Sequence, residues 1–342
     1  MGDIKLFDTL QSIPEGFLDI SARNLHKLLK KPTLIHLSGR QSPSLFVSIL
    51  LHGNEDTGLK ALQAVLKKYA KQTLPRGLSI FCGNIEAARM GLRRLDNQPD
   101  YNRIWPGTDE PSSAETAMAG AVVATMQRRG VFASIDIHNN TGLNPHYGCI
   151  NKLDPAYLHL AALFSRTTVF FRRPLGVQSM ALSELCPAIT IECGKAGSLE
   201  GEAHAASLIE AVLNLSHFPM HDPAASDLDI FHTVGIVKIP ESISFSFDEE
   251  DVELQFNPDI DHMNFCELSA NTVLAKTKNS DATPQVISES GEDITKEYFE
   301  IVNNQLVTKK LVMPSMLTLD KRVIRQDCLC YLMERYSLKP KC

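Results

Sequence analysis

The chain has 342 residues, 34 basic against 40 acidic side chains, a formal net charge of −6 and a hydrophobic content of 44%. That much apolar surface can offset the entropy of ordering, which excludes a disordered chain. At roughly 100–200 residues per domain, the length suits two domains or one large domain with an appendage. The mild acidity argues against a nucleic-acid binder, no apolar run approaches the ~20 residues of a membrane span, and MGDIKLFDTL lacks the basic and apolar regions of a secretory signal. The expectation is a cytoplasmic protein without nucleic-acid or membrane partners.

In chain order, short β-branched or apolar runs stand at 44–51 (SLFVSILL), 78–82 (LSIFC), 131–137 (VFASIDI), 167–171 (TTVFF) and 188–193 (AITIEC). Segments with helical spacing separate them at 58–72, 113–129, 155–166 and 199–215, the second with Ser113 as a cap and Gly130 as a stop. Alternation of this kind predicts an α/β domain over residues 1–225, its mixed or parallel sheet covered by helices on both faces. The turn-forming HDPAASDLD then marks a boundary. After residue 228 the pattern becomes HTVGIVKI, SISFSF, DVELQF, NTVLAKT, YFEIV and QLVTKKLV, which predicts a smaller β-rich domain over 226–342.

Charge is unevenly spread. Residues 241–300 carry 15 acidic and 3 basic side chains, whereas 1–240 are nearly balanced. Between Gln72 and Asn151 there is no lysine but there are seven arginines, a bias that suits capture of a carboxylate or else ordinary surface positions. Eight cysteines without a CxxC pair read as thiols rather than disulfides.

The residues with chemistry sit where predicted strands end. SLFVSILL runs into His52-Gly53-Asn54-Glu55, and VFASIDI ends at His138. Two imidazoles and one carboxylate make a three-ligand catalytic zinc set with a position left open, although a single strand-end histidine is more often structural. HExxH is absent, which excludes the helical thermolysin-type site. The run AITIECG brings Glu192 to the same expected edge, where partial desolvation would raise its pKa and suit a general base; a salt-bridged glutamate is the plainer alternative. In DNQPDYNRIWPG, Asn102 and Arg103 place an amide beside a guanidinium, with Arg93 and Arg94 close upstream. Asp100 and Asp136 could orient ligands from behind.

The ordered set LLHGNEDTG, RRLDNQPDYNRIWPG, IDIHNNTG and TIECG, spanning about residues 45 to 200, resembles the succinylglutamate desuccinylase/aspartoacylase family of zinc carboxypeptidase-like hydrolases. The resemblance implies one zinc ion per chain on His52, Glu55 and His138, with Glu192 as catalytic acid/base and Asn102 with Arg103 as a carboxylate clamp. It also implies that Arg94, or Arg93 if the spacing slips by one, polarises the scissile carbonyl, and that a β-rich domain follows the catalytic one. Where aspartoacylases hold a second substrate carboxylate with an arginine upstream of the catalytic glutamate, this chain reads SMALSELCP, so their substrate preference does not carry over.

The expected activity is zinc-dependent hydrolysis of an amide bond next to a free carboxylate, in a small N-acyl amino acid. A metallocarboxypeptidase and a non-catalytic zinc-dependent carboxylate-binding protein are the alternatives. A homo-oligomer is compatible with the sequence, which does not fix the assembly.

Overall fold

The computed structural model describes residues 6–249 and 251–338, so Cys342 lies outside the described residues. The chain forms two compact units. One comprises Met1–Asn139, His146–Phe170 and Pro174–Asp229; the other comprises Asn140–Pro145, Phe171–Arg173 and Ile230–Cys342.

The first unit is a mixed α/β fold. Its strands are β1 (Asp8–Leu10), β2 (Thr33–Leu37), β3 (Gly39–Ile49), β4 (Leu74–Cys82), β5 (Val131–His138), β6 (Tyr147–Ile150), β7 (Thr167–Phe170) and β8 (Ala188–Glu192). They lie in the order β1-β2-β4-β3-β5-β8-β6-β7. The central four, β4, β3, β5 and β8, are mutually parallel, and β2 and β6 flank them antiparallel. All nine residues of β4 are buried, as expected of a central strand covered on both faces.

The helices are α1 (Thr57–Lys68), α2 (Ile85–Met90), α3 (Ala114–Arg129), α4 (Pro155–Ala162), α5 (Gln178–Leu182) and α6 (Leu199–Asn214). Helix α3 starts on the expected cap, Ser113 accepting from the Thr116 amide within a capping box, and stops at Gly130, whose φ is +74°. Its Met118, Ala119, Val122 and Met126 pack with Phe46, Phe81 and Trp105, the last two rings meeting edge-on at 5.8 Å. On the opposite face α1 lies close to the sheet because Gly58 has no side chain: a Cβ there would stand 2.6 Å from Ile49 Cγ2.

Strands β1, β2 and β6 and helices α2 and α5 do not stand out in the sequence. They are only three to six residues long, and their burial comes from neighbours distant in the chain.

The second unit is β-rich. Strands β9 (Asp229–Lys238), β13 (Gln285–Ser288), β16 (Met313–Ser315) and β17 (Cys330–Tyr336) pair antiparallel in the order β13-β9-β17-β16. A five-stranded sheet, β10-β11-β12-β15-β14, is built from β10 (Phe245–Ser246), β11 (Leu254–Phe256), β12 (Val273–Thr277), β14 (Phe299–Val302) and β15 (Gln305–Thr308). Phe245, Phe247 and Phe256 sit in its core, and the buried Asn264 bridges the carbonyls of Asp261 and Leu317 while accepting from the Leu317 amide. Two short helices, α7 (Thr295–Tyr298) and α8 (Lys321–Gln326), complete it. The seven described cysteines are all free thiols, and no described helix is long and apolar enough to cross a membrane.

Phe81, on β4, is fully buried with its ring against Trp105. Phe81→Ala should therefore lower unfolding stability by about 3–5 kcal/mol, read as a lower urea midpoint.

Candidate metal centre

Three parallel neighbours, β3, β5 and β8, end side by side, and the residues singled out in the sequence leave from those ends. After Ile49 the chain turns at Leu50, held at φ +54°, while the Ile49 and Leu50 carbonyls accept from the amides of Gly83 and Asn84. The loop His52–Glu55 then presses on α2. Gly53 is required there, since a Cβ would collide with the Ala88 backbone nitrogen. Its amide donates to the Arg93 carbonyl.

His52, Glu55 and His138 are buried, and one donor atom from each lies within 4.8 Å of the others. Nδ1 of His52 is 2.9 Å from Glu55 Oε1, Nδ1 of His138 is 2.8 Å from Glu55 Oε2, and the two Nδ1 atoms are 3.2 Å apart. Each ring is fixed from behind: His52 Nε2 bonds Asp100 Oδ1 and His138 Nε2 bonds Asp136 Oδ2, at 2.9 and 2.8 Å. Ser48 in turn donates to Asp136 at 2.6 Å. Alternation along β5 makes this arrangement possible, because Asp136 and His138, two residues apart, share one face, and Asp136 stands in register with Ser48 on β3.

This donor set suits a divalent transition metal. Two imidazoles presenting the same nitrogen, one carboxylate and a carboxylate behind each ring are the inner and outer parts of such a site.

Electrostatics follow the packing. Burial opposes charge on Glu55, but the imidazoles of His52 and His138 outweigh it and hold its carboxyl below the usual range. Asp100 is likewise held well down against burial by His52 and Arg93. Burial and Arg93 push His52 down, yet Glu55 and Asp100 raise it overall; His138, despite burial, is raised well above its ordinary value by Asp136 and Glu55. Glu192 behaves differently. It is buried, stands in register with His138, and its carboxyl is pushed up to about 7 chiefly by desolvation.

Asn102 is buried, with Nδ2 3.3 Å from His138 Nε2 and its amide oxygen accepting from the Gln178 backbone. Arg103 donates to the Asn102 carbonyl. Arg93 donates to Asp100 at 3.0 Å and lies 3.8 Å from Glu55, whereas Arg94 donates to the Gln98 carbonyl.

Three contributors were missed in the sequence. Ser48 holds Asp136, Gln178 seats Asn102 while its side chain donates to Ser134, and the Asn139 backbone donates to Glu55 as its side chain reaches the Gly194 carbonyl. A hydroxyl inside the apolar run SLFVSILL was the one readable signal among them.

Known proteins resemble this chain both in sequence and in fold. Residues 41–218 match the family model described as succinylglutamate desuccinylase/aspartoacylase catalytic domain. A succinylglutamate desuccinylase of Pseudomonas aeruginosa is 27% identical over 178 residues, 49% of this chain and 51% of that protein; the chain thus spans about half the length of the curated relatives it matches. Among solved structures, the succinylglutamate desuccinylase of Chromobacterium violaceum superposes with a TM-score of 0.57 at 15% identity, covering 89% of this chain and 87% of that one. Murine aminoacylase 3 gives 0.54 at 15% identity, over 86% and 97%. At such identities the superpositions establish the fold, while the family model covers more than half of the sequence. The chain belongs to the succinylglutamate desuccinylase/aspartoacylase family.

Proposed function

We propose that the protein is a zinc-dependent amidohydrolase that removes the acyl group from a small N-acyl amino acid. The observation that carries this reading is the convergence of His52, Glu55 and His138 at one point, with the protonatable Glu192 in register beside His138. His52 Nδ1, His138 Nδ1 and the Glu55 carboxylate would hold the metal, which supplies Lewis acidity toward a carbonyl oxygen and a water.

The chain's own residues do the remaining work. Asn102 and Arg103 orient the substrate through its free carboxylate, turning a bimolecular encounter into a positioned one. Glu192 takes a proton from the attacking water as its oxygen bonds to the acyl carbon. The carbon–nitrogen bond then breaks, and the same carboxyl returns the proton to the departing nitrogen, leaving a carboxylic acid and a free amino acid. A carboxyl near neutrality can both accept and return a proton with little penalty, which favours Glu192 over Glu55 for this role. Of the two neighbouring arginines, Arg93 is the proposed partner of the developing oxyanion. Its proximity to Glu55 and Asp100 supports this, as does the engagement of Arg94 with Gln98.

Glu192→Gln should keep stoichiometric zinc by metal analysis while losing about 10²–10⁴-fold in turnover; near-normal turnover would remove Glu192 from the chemistry. A panel of N-acetyl and N-succinyl amino acids assayed beside short peptides should give release of free amino acid from the acylated substrates. Cleavage of peptides alone would make the enzyme a carboxypeptidase. Zinc binding without turnover on either group would make it a binding protein.

A further inference from the structure

The first unit holds a second polar concavity, at the opposite end of the central strands from the metal ligands. The start of β3, the adjoining part of β4 and the end of β2 line an open concavity of about 370 Å³, a volume within the usual range for small-molecule sites. Its floor is a chain of hydrogen bonds that runs from two buried groups to a half-buried one: His36 Nδ1 lies 2.9 Å from Ser79 Oγ, which lies 3.2 Å from the half-buried Ser44 Oγ. At the rim stands the exposed Arg129, at the end of α3. No aspartate or glutamate is among the lining residues.

Behind one wall lies an unusual cation. Arg76 is only 2% exposed, yet no carboxylate comes within ion-pair distance of it among the described residues. Its guanidinium, stacked 3.6 Å over the Phe132 ring, donates to neutral oxygens alone: the carbonyls of Pro43 and Leu215 and the side chain of Gln41. Its Nε has no hydrogen-bond partner among the described residues. Pro43 and Gln41 both line the cavity, so two of the dipoles that solvate this charge form the cavity wall. A buried guanidinium without a counter-ion is costly, and its field is little screened by the surrounding protein. The concavity therefore lies between a buried cation and a rim cation, offers hydroxyl and imidazole hydrogen-bonding groups on its floor, and presents no opposing charge.

From this combination we infer a second ligand site that takes a small organic oxyanion, a phosphate ester or a carboxylate. Arg129 receives the charged oxygens and the serine hydroxyls hydrogen-bond the remainder. An anion seated there gives the Arg76 charge the counter-ion that no described residue supplies, so occupancy stabilises the strand starts around it.

The test is calorimetric titration of the zinc-loaded full chain with three molecules of similar size: glycerol 3-phosphate, glycerate and the neutral glycerol. At least one of the two anions should bind with one-site behaviour while glycerol does not, and the stronger of the two anions identifies the phosphate or the carboxylate as the preferred group. Arg129→Gln, a surface change, should weaken that binding by about tenfold or more, as expected for the loss of one charge-assisted contact. Binding should persist in His52→Ala, which places it away from the metal centre and separates this outcome from any failure of the hydrolase reading. Any of four results would overturn the inference: no binding of either anion up to about 10 mM, weaker than the millimolar affinities of loosely held ligands; equal binding of glycerol; binding unchanged in Arg129→Gln; or binding that disappears with His52→Ala.

Discussion

The candidate metal centre depends on two hydrogen bonds between imidazoles and buried carboxylates, His52 to Asp100 and His138 to Asp136. Each bond takes up Nε2 and leaves Nδ1 facing the common point shared with Glu55. Without them the rings could rotate or change tautomer, and the donors would not converge. Asp136 is itself fully buried and tied by Ser48, so the orientation of His138 is set by the centre of the sheet rather than by a surface loop. Several kcal/mol of desolvation would stand against these carboxylates if they were unpaired, and pairing to imidazole, hydroxyl and guanidinium groups offsets it.

The sheet provides the rest of the placement. Parallel neighbours β3, β5 and β8 finish at one edge, and their register puts His138 opposite Glu192. Burial then acts differently on two glutamates in one site: Glu55, facing both imidazoles, is held ionised, while Glu192 is raised toward neutrality. That separation is what the proposed division of labour rests on, one carboxyl for a metal ion and the other for proton transfer. Tight backbone approaches, Gly53 on α2 and Gly58 on β3, fix the loop that carries His52 and Glu55.

Much of this was legible in the sequence because apolar strands ending in His, Glu or His-Asn report both burial and position. The runs at 44–51, 131–137 and 188–193 led directly to β3, β5 and β8, and Ser113 and Gly130 marked the ends of α3. What was not legible depends on contacts made across the chain. Nothing local shows that Arg93 turns to Asp100 and Arg94 to Gln98, since consecutive residues point apart only once the loop is folded. Gln178 is 76 residues from the Asn102 it seats, and Arg76, an ordinary arginine in the sequence, proves to be buried with no counter-ion among the described residues.

The most direct test of the account is the zinc affinity of Asp136→Asn, measured by competition with a chelator. An amide retains the volume but loses the charge that orients and polarises His138, so affinity should fall by about 10–100-fold with the fold intact. Unchanged affinity in a folded Asp136→Asn protein would contradict the claim that buried carboxylates build this site.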